Sequence, residues 1–151
     1  MSKIYIKYGI LIAIGLILYF VITKLLGLHK YPVLSAANGV IYGAGILMAL
    51  KKTKERKSKF KYQKGFQVGF MSGAIATLIF VAFMAFNMYQ IDTEFAGNIL
   101  DSWNLTYESG AFIILFSLVL MGMATSIVLT LAFMQLLKDS WNTPDGKRNT
   151  L

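Results

Sequence analysis

Cysteine is absent from this sequence of 151 residues, and histidine occurs once, as His29. These scarcities exclude a disulfide framework, a thiolate nucleophile and a metal site built from several cysteines and histidines. Acidic residues are also few, seven against fifteen lysines and arginines. This inventory predicts no catalytic constellation, no metal and no other cofactor, so we expect a protein that is not an enzyme.

Apolar residues, by contrast, are abundant: they make up 56% of the chain, while charged residues make up 15%. Soluble domains carry about 25% charged residues, so an aqueous core and surface do not account for this composition. The net charge of +8 is concentrated between apolar segments rather than on one amphipathic face. That distribution does not fit a nucleic-acid-binding surface. The composition predicts an integral membrane protein that binds no nucleic acid.

Four apolar segments are long enough to cross a bilayer as helices: residues 8–28, 32–50, 65–89 and 111–137. The first contains Lys24, whose long side chain is expected to extend its ammonium group to the headgroups. The second begins at Pro32, and proline is well tolerated in the first turn of a helix. The predicted fold is an all-α, four-helix transmembrane bundle that forms a single domain.

The segments between these spans differ in charge. Residues 51–64 are predicted to form a basic loop and residues 138–151 a polar tail, whereas residues 90–110 contain four acidic residues and no lysine or arginine. Apolar residues recur at three- to four-residue spacing in the acidic segment, which suggests a short amphipathic helix at the membrane surface. Basic residues favour the cytoplasmic side. With both termini inside, thirteen cations are cytoplasmic and two, Lys24 and Lys30, are outside; we expect this orientation.

The basic loop has several interpretations that the residues alone leave open. Its cations can bind anionic lipids of the cytoplasmic leaflet, dock an acidic partner protein, or hold the phosphate of a lipid or nucleotide-linked substrate. The cations are Lys51, Lys52, Lys54, Arg56, Lys57, Lys59, Lys61 and Lys64. No glycine-rich phosphate loop supports the substrate interpretation.

Small residues recur every four positions on three of the predicted helices. Each set lines one helix face and allows a neighbouring backbone to approach closely. The neighbour is either another helix of this chain or another membrane protein, including a second copy. The sets are Ser35, Gly39 and Gly43; Gly65, Gly69 and Gly73; and Gly122, Ser126 and Thr130.

A further set of features resembles a known family. Between Leu50 and Phe70 a basic loop is followed by Gly65-Phe66 and Gly69-Phe70 at the start of the third span. This stretch, with the acidic segment after the third span, resembles the bacterial membrane proteins of the domain of unknown function 4199 family. The resemblance implies a multi-pass protein of the inner membrane of Bacteroidota-type bacteria, with no catalytic residues to transfer. Members are often encoded near polyprenyl-phosphate-type glycosyltransferases, which implies such an enzyme as a membrane partner.

Three classes of function remain in view. A non-enzymatic accessory or scaffold subunit of a membrane complex is favoured, because ionisable residues are missing from the interior of the spans. The alternatives are a lipid-binding protein and a small transporter or oligomeric channel. In the latter, the polar residues Asn38, Gln67, Asn87 and Thr125 would line a path.

Overall fold

The structure, a computed structural model, describes residues 2–28, 31–56, 62–91, 94, 97, 101 and 107–138. These residues form four long α-helices: α1 (Ser2–Leu25), α2 (Pro32–Glu55), α3 (Tyr62–Phe86) and α4 (Tyr107–Leu136). The α3 helix continues directly into one turn of π-helix, Asn87–Ile91. The described part of the chain contains no β-strand. The prediction of an all-α protein is confirmed.

Three stretches of these helices are long and apolar enough to cross a membrane: Lys3–Leu25, Tyr62–Ile91 and Gly110–Leu136. They coincide with three of the four predicted spans, and they make a membrane location the natural interpretation of the fold. The remaining helix, α2, carries no charge between Pro32 and Leu50 but enters the basic segment at its end.

Local chemistry explains most of the helix ends. The α1 helix ends at Leu25, and Gly27 follows in a left-handed conformation with φ of +68°, which glycine adopts without steric cost. Its amide donates to the carbonyl of Lys24 at 3.0 Å. The α2 helix starts after an extended Tyr31, with Pro32 in the first turn, as the sequence predicts.

The segment predicted as a basic loop, residues 51–64, is in part helical. The α2 helix continues through Lys51 to Glu55, and α3 already begins at Tyr62. The residues from Leu50 to Glu55 include no glycine or proline, and lysine and glutamate are good helix formers, so nothing stops the helix at the end of its apolar stretch. Lys52 and Glu55 also form an exposed ion pair at 2.9 Å. Residues 57–61 lie outside the described residues.

Two other predicted segments are described only in part. In the acidic segment 90–110, Glu94, Gly97 and Asp101 are helical and α4 begins at Tyr107. The rest of its middle, like His29, Lys30 and the tail beyond Lys138, lies outside the described residues. The predicted amphipathic helix therefore stays a prediction.

The α3 helix occupies the centre of the arrangement. It contacts α1, α2 and α4, and its most extensive interface is with α1. The α2 helix also touches the other three, so that α1 and α4 flank the α2–α3 pair without an extensive contact of their own. The main core cluster draws on all four helices and comprises Ile12, Ala13, Leu16, Tyr42, Ile46, Leu50, Ala76 and Met134.

Candidate functional site: a polar seam inside the bundle

Small residues of α3 and α4 meet in three successive layers, which we call the seam. Gly69 faces Thr130, Gly73 faces Ser126, and Gly122 faces Thr77. In each layer a glycine lies opposite a hydroxyl side chain, and a Cβ atom on that glycine would collide with it; on Gly69 it would lie 2.7 Å from the hydroxyl oxygen of Thr130. The glycines therefore let the two backbones come close, as spacing by four residues allows.

A tyrosine from α2 completes the seam near the middle of the bundle. The phenol oxygen of Tyr42 lies 2.7 Å from the carbonyl oxygen of Gly73 and 3.1 Å from that of Gly122. It is also 2.9 Å from the hydroxyl of Thr77. Tyr42 is 6% exposed, so this hydrogen-bonded group joins α2, α3 and α4 where water has no access.

The three hydroxyl side chains of the seam differ in their partners, and that of Thr77 bonds to Tyr42. Ser126 donates to the carbonyl of Phe70 at 3.2 Å. The hydroxyl of Thr130 is buried without a partner, and the same is true of Ser72 on the α1-facing side of α3. None of these groups has a neighbouring acid or base of the kind that activates a nucleophile. Among the described residues, no group of three or more histidines or acids could hold a metal ion.

The glycine-aromatic stretch at the start of α3 belongs to the same packing. Gly65 and Gly69 are buried, and Gly69 supports the contact with Thr130. Phe66 and Phe70, one turn apart, stack with ring centroids 6.0 Å apart and an interplanar angle of 2°. The stretch that carries the family resemblance thus builds a helix interface.

Gly39 and Gly43 of α2 behave differently from the glycines of α3. A Cβ on Gly43 would meet only ordinary contacts with Phe133 and Leu129 of α4, at 3.5 Å or more, and one on Gly39 would meet nothing within 4 Å. Gly39 is exposed, and the adjacent Val40 is 71% exposed. The chain's own helices therefore leave this part of α2 uncovered.

The polar residues suggested for a solute path are not brought together. Gln67 and Thr125 are exposed on the outside of the bundle, whereas Asn87 is buried. Gln67 and Asn87 are twenty residues apart along α3 and its π-helical extension, which corresponds to about 30 Å. The Oδ1 atom of Asn38 is buried and lacks a hydrogen-bond partner. Between α2, α3 and α4, the position a path would need is filled by Tyr42 and its partners.

Lys24 does not simply extend to the headgroups, as the sequence suggests. It is half-buried and donates from Nζ to the Oδ1 atom of Asn87 at 3.2 Å. This bond ties the end of α1 to the π-helical turn after α3. A fully exposed lysine would need no such partner. The half-buried ammonium group of Lys24, near the end of an apolar span, gains a hydrogen bond from Asn87 in place of water.

The described cations of the basic segment lie at one end of the bundle. Lys51, Lys52, Arg56 and Lys64 are exposed. Lys54 instead donates to the carbonyl oxygen of Leu137 at 2.8 Å, where a cation complements the negative end of the α4 dipole. The remaining members of the predicted set, Lys57, Lys59 and Lys61, lie outside the described residues.

Comparison with known proteins adds a family. The family described as "Protein of unknown function (DUF4199)" matches residues 7–138. The chain belongs to this family. The match extends from α1 to the end of α4, so the DUF4199 region includes the seam, Tyr42 and the described basic residues. No curated protein and no solved structure matches the chain.

Sequence reasoning missed Tyr42. Tyrosines near span ends fit the aromatic belt, but Tyr42 lies ten residues into α2, in the middle of its uncharged stretch. That position is the signal that could have found it, because a buried phenol needs a hydrogen-bond partner inside the protein.

Proposed function

We propose that this protein is a non-enzymatic accessory or scaffold subunit of the bacterial inner membrane, with four spans and both termini in the cytoplasm. The observation that carries the proposal is the composition of the bundle interior. A buried polar group that joins three helices, Tyr42, is bonded to Gly73, Thr77 and Gly122. An interior held together by its own hydrogen bonds is suited to holding helices in place rather than to binding or moving a solute.

Two observations support the topology. The α2 helix has nineteen uncharged residues from Pro32 to Leu50, about the length needed to cross the hydrocarbon core. Ile4, Ala49 and Val68 share one core cluster, and Lys54 bonds to Leu137, so both the start of α1 and the end of α4 lie at the basic end. The bias of basic residues toward the cytoplasm then favours termini inside.

The partner we propose is another membrane protein, and a polyprenyl-phosphate glycosyltransferase is the candidate that the family resemblance suggests. Its contact surface would include Gly39, the small residue that the other helices leave uncovered. The exposed cations at the basic end would bind anionic lipid of the cytoplasmic leaflet.

Extraction in native lipid nanodiscs, followed by identification of co-purifying proteins and a native mass of the particle, tests this proposal. A membrane protein recovered at fixed stoichiometry is the expected result. Substitution Gly39→Leu should reduce that recovery without changing the thermal stability of the protein, because a side chain there has open space around it. The matched control is Leu120→Ile on α4, also at an exposed position. A particle containing only lipid and one copy of the chain contradicts the proposal.

A further inference from the structure

On the side that faces away from α2, exposed residues of α1 and α3 lie on either side of the line along which the two helices touch, and we call this surface the groove. Gly9 marks where the helices touch, because a Cβ there would lie 2.8 Å from the side chain of Ile75 on α3. Around α1, Ile12 lies about 60° to one side of Gly9 and Ile6 about 60° to the other. Ile12 packs on Gly45 of α2, so Ile6 borders the groove. Its side chain is 44% exposed, which leaves this border uncovered.

The opposite wall of the groove comes from α3. The carbonyl of Ser72 faces Gly9, and the adjacent Met71 turns away from α2 and is 38% exposed. Lys64 lies two turns before Met71 on the same stripe. Since α1 and α3 approach closely at Gly9, the groove is narrow enough for both walls to contact one alkyl chain.

Two cations stand at the charged end of this groove. Lys3 lies one turn before Ile6 on α1, and both Lys3 and Lys64 are exposed. Ile4 and Val68 pack in the same core cluster, so Lys3, one residue before Ile4, lies about 4.5 Å deeper than Lys64, four residues before Val68. Flexible lysine side chains on neighbouring helices can converge on one phosphate.

Gln67 adds a polar group one turn deeper on α3. Its side chain is exposed, and its amide has no hydrogen-bond partner among the described residues. No charged residue follows it on α3, so the amide stands at the border of the apolar region. An amide group without a hydrogen-bond partner is unfavourable at the edge of the hydrocarbon. An oxygen acceptor on a bound molecule at that depth would supply the partner.

We infer that this groove binds one anionic phospholipid. Lys3 and Lys64 hold its phosphodiester, the Gln67 amide donates to a phosphate or glycerol oxygen, and an acyl chain lies against Ile6, Ile10 and Met71. The inference deepens the proposed function, on which it rests only for the leaflet that supplies the lipid. It differs from general attraction to the basic end, because it assigns binding to two particular lysines on α1 and α3.

Lys51 provides a matched control. It is an exposed cation at the same end of the bundle as Lys3 and Lys64, but it belongs to α2, and the groove faces away from α2. Replacing Lys51 therefore removes the same charge from the same end of the bundle without touching the proposed site.

Native mass spectrometry of the full chain in detergent, titrated with phosphatidylglycerol, measures affinity for the first lipid. From the usual contribution of a cation at a membrane surface, we expect Lys3→Gln and Lys64→Gln to weaken binding about fivefold each and about thirtyfold together. Lys51→Gln should change it less than about twofold. Gln67→Leu should weaken phosphatidylglycerol binding while keeping the preference over phosphatidylcholine, because charge recognition remains.

Three results would overturn the inference. The first is unchanged binding in the Lys3→Gln/Lys64→Gln variant with its helical content and thermal stability preserved. The second is an equal loss with Lys51→Gln, which shows diffuse attraction. The third is displacement of the lipid by glycerol 3-phosphate at equal concentration, which shows a site for a soluble phosphate. Recovery of the partner protein with the Lys3→Gln/Lys64→Gln variant separates this inference from the scaffold proposal. If the partner is still recovered and the lipid affinity is unchanged, the lipid site is rejected and the scaffold proposal stands.

Discussion

The layer of the seam formed by Gly69 and Thr130 allows a sharp test of helix packing. In Gly69→Ala the new Cβ would lie 2.5 Å from Cγ2 and 2.7 Å from Oγ1 of Thr130. Thr130 is fully buried, so α3 and α4 must separate or shift. Overpacking of this kind costs about 1 to 3 kcal/mol. We expect the free energy of unfolding to fall by that amount.

The second substitution, Thr130→Ala, removes the two atoms that collide. It breaks no hydrogen bond, because the hydroxyl of Thr130 is buried without a partner. Its cost is the lost packing of one methyl group, offset by removal of an unsatisfied polar atom, and we expect a net change within about 1 kcal/mol. The double variant should then recover most of the stability lost in Gly69→Ala.

Unfolding in mixed micelles with an increasing mole fraction of SDS, followed by far-ultraviolet circular dichroism, gives the four stabilities of the double-mutant cycle. The expected coupling between the two sites is about 1 to 3 kcal/mol in the direction of rescue. Gly39→Ala is the control, because a Cβ there meets nothing within 4 Å. Coupling near zero, with Gly69→Ala equally harmful on both backgrounds, would refute the direct contact across the seam.

Three further predictions address other features. Tyr42→Phe keeps the ring but removes the phenol oxygen that bonds to Gly73, Thr77 and Gly122. It should lower the free energy of unfolding by about 0.6 to 1.7 kcal/mol in the same assay, the range found for interhelical hydrogen bonds in membranes. Tyr62→Phe, at an exposed position, should cost nothing measurable, and equal losses in the two variants would contradict the role of Tyr42. Lys54→Ala removes the bond to Leu137 and should lower the free energy of unfolding by about 0.3 to 1 kcal/mol. Amide hydrogen exchange at the end of α4 should be faster than in the control Lys51→Ala. Equal exchange in the two variants would argue against a role for Lys54 in holding the end of α4. The chain has no cysteine, so single cysteines introduced at positions 28 and 56 report topology without background labelling. An impermeant maleimide added to intact cells should label the cysteine at position 28 and leave the one at position 56 unlabelled. The reverse pattern would contradict the proposed orientation.

Much of the fold follows from the order of apolar and charged segments. The helical class and three apolar helices could be predicted because hydropathy over twenty residues reflects the thickness of the bilayer. The helix ends in the basic segment could not be predicted, because a helix continues beyond its apolar stretch wherever its residues still favour helix. Lys51 to Glu55 extend α2 for this reason.

The seam was only partly predictable. Spacing by four showed which faces of α2, α3 and α4 are small, but Gly73 faces Ser126 while Gly39 faces no neighbour. That difference depends on how the helices are rotated and which of them are adjacent, and these are set by packing between segments far apart in sequence. Tyr42 was hidden for the same reason, since its acceptors belong to two other helices.

The central position of α3 has a consequence for biosynthesis. The chain consists of two helical hairpins, α1–α2 and α3–α4, yet the most extensive interface, α1 with α3, joins one hairpin to the other. In the proposed topology, the first hairpin is therefore in the lipid with Gly9 uncovered until α3 emerges from the ribosome. A gene divided between codons 56 and 57 should then give two fragments, each able to insert alone, that reassociate when they are co-expressed. The short basic connection would serve to keep the two hairpins in one copy of the molecule, while recognition between them resides in the helices.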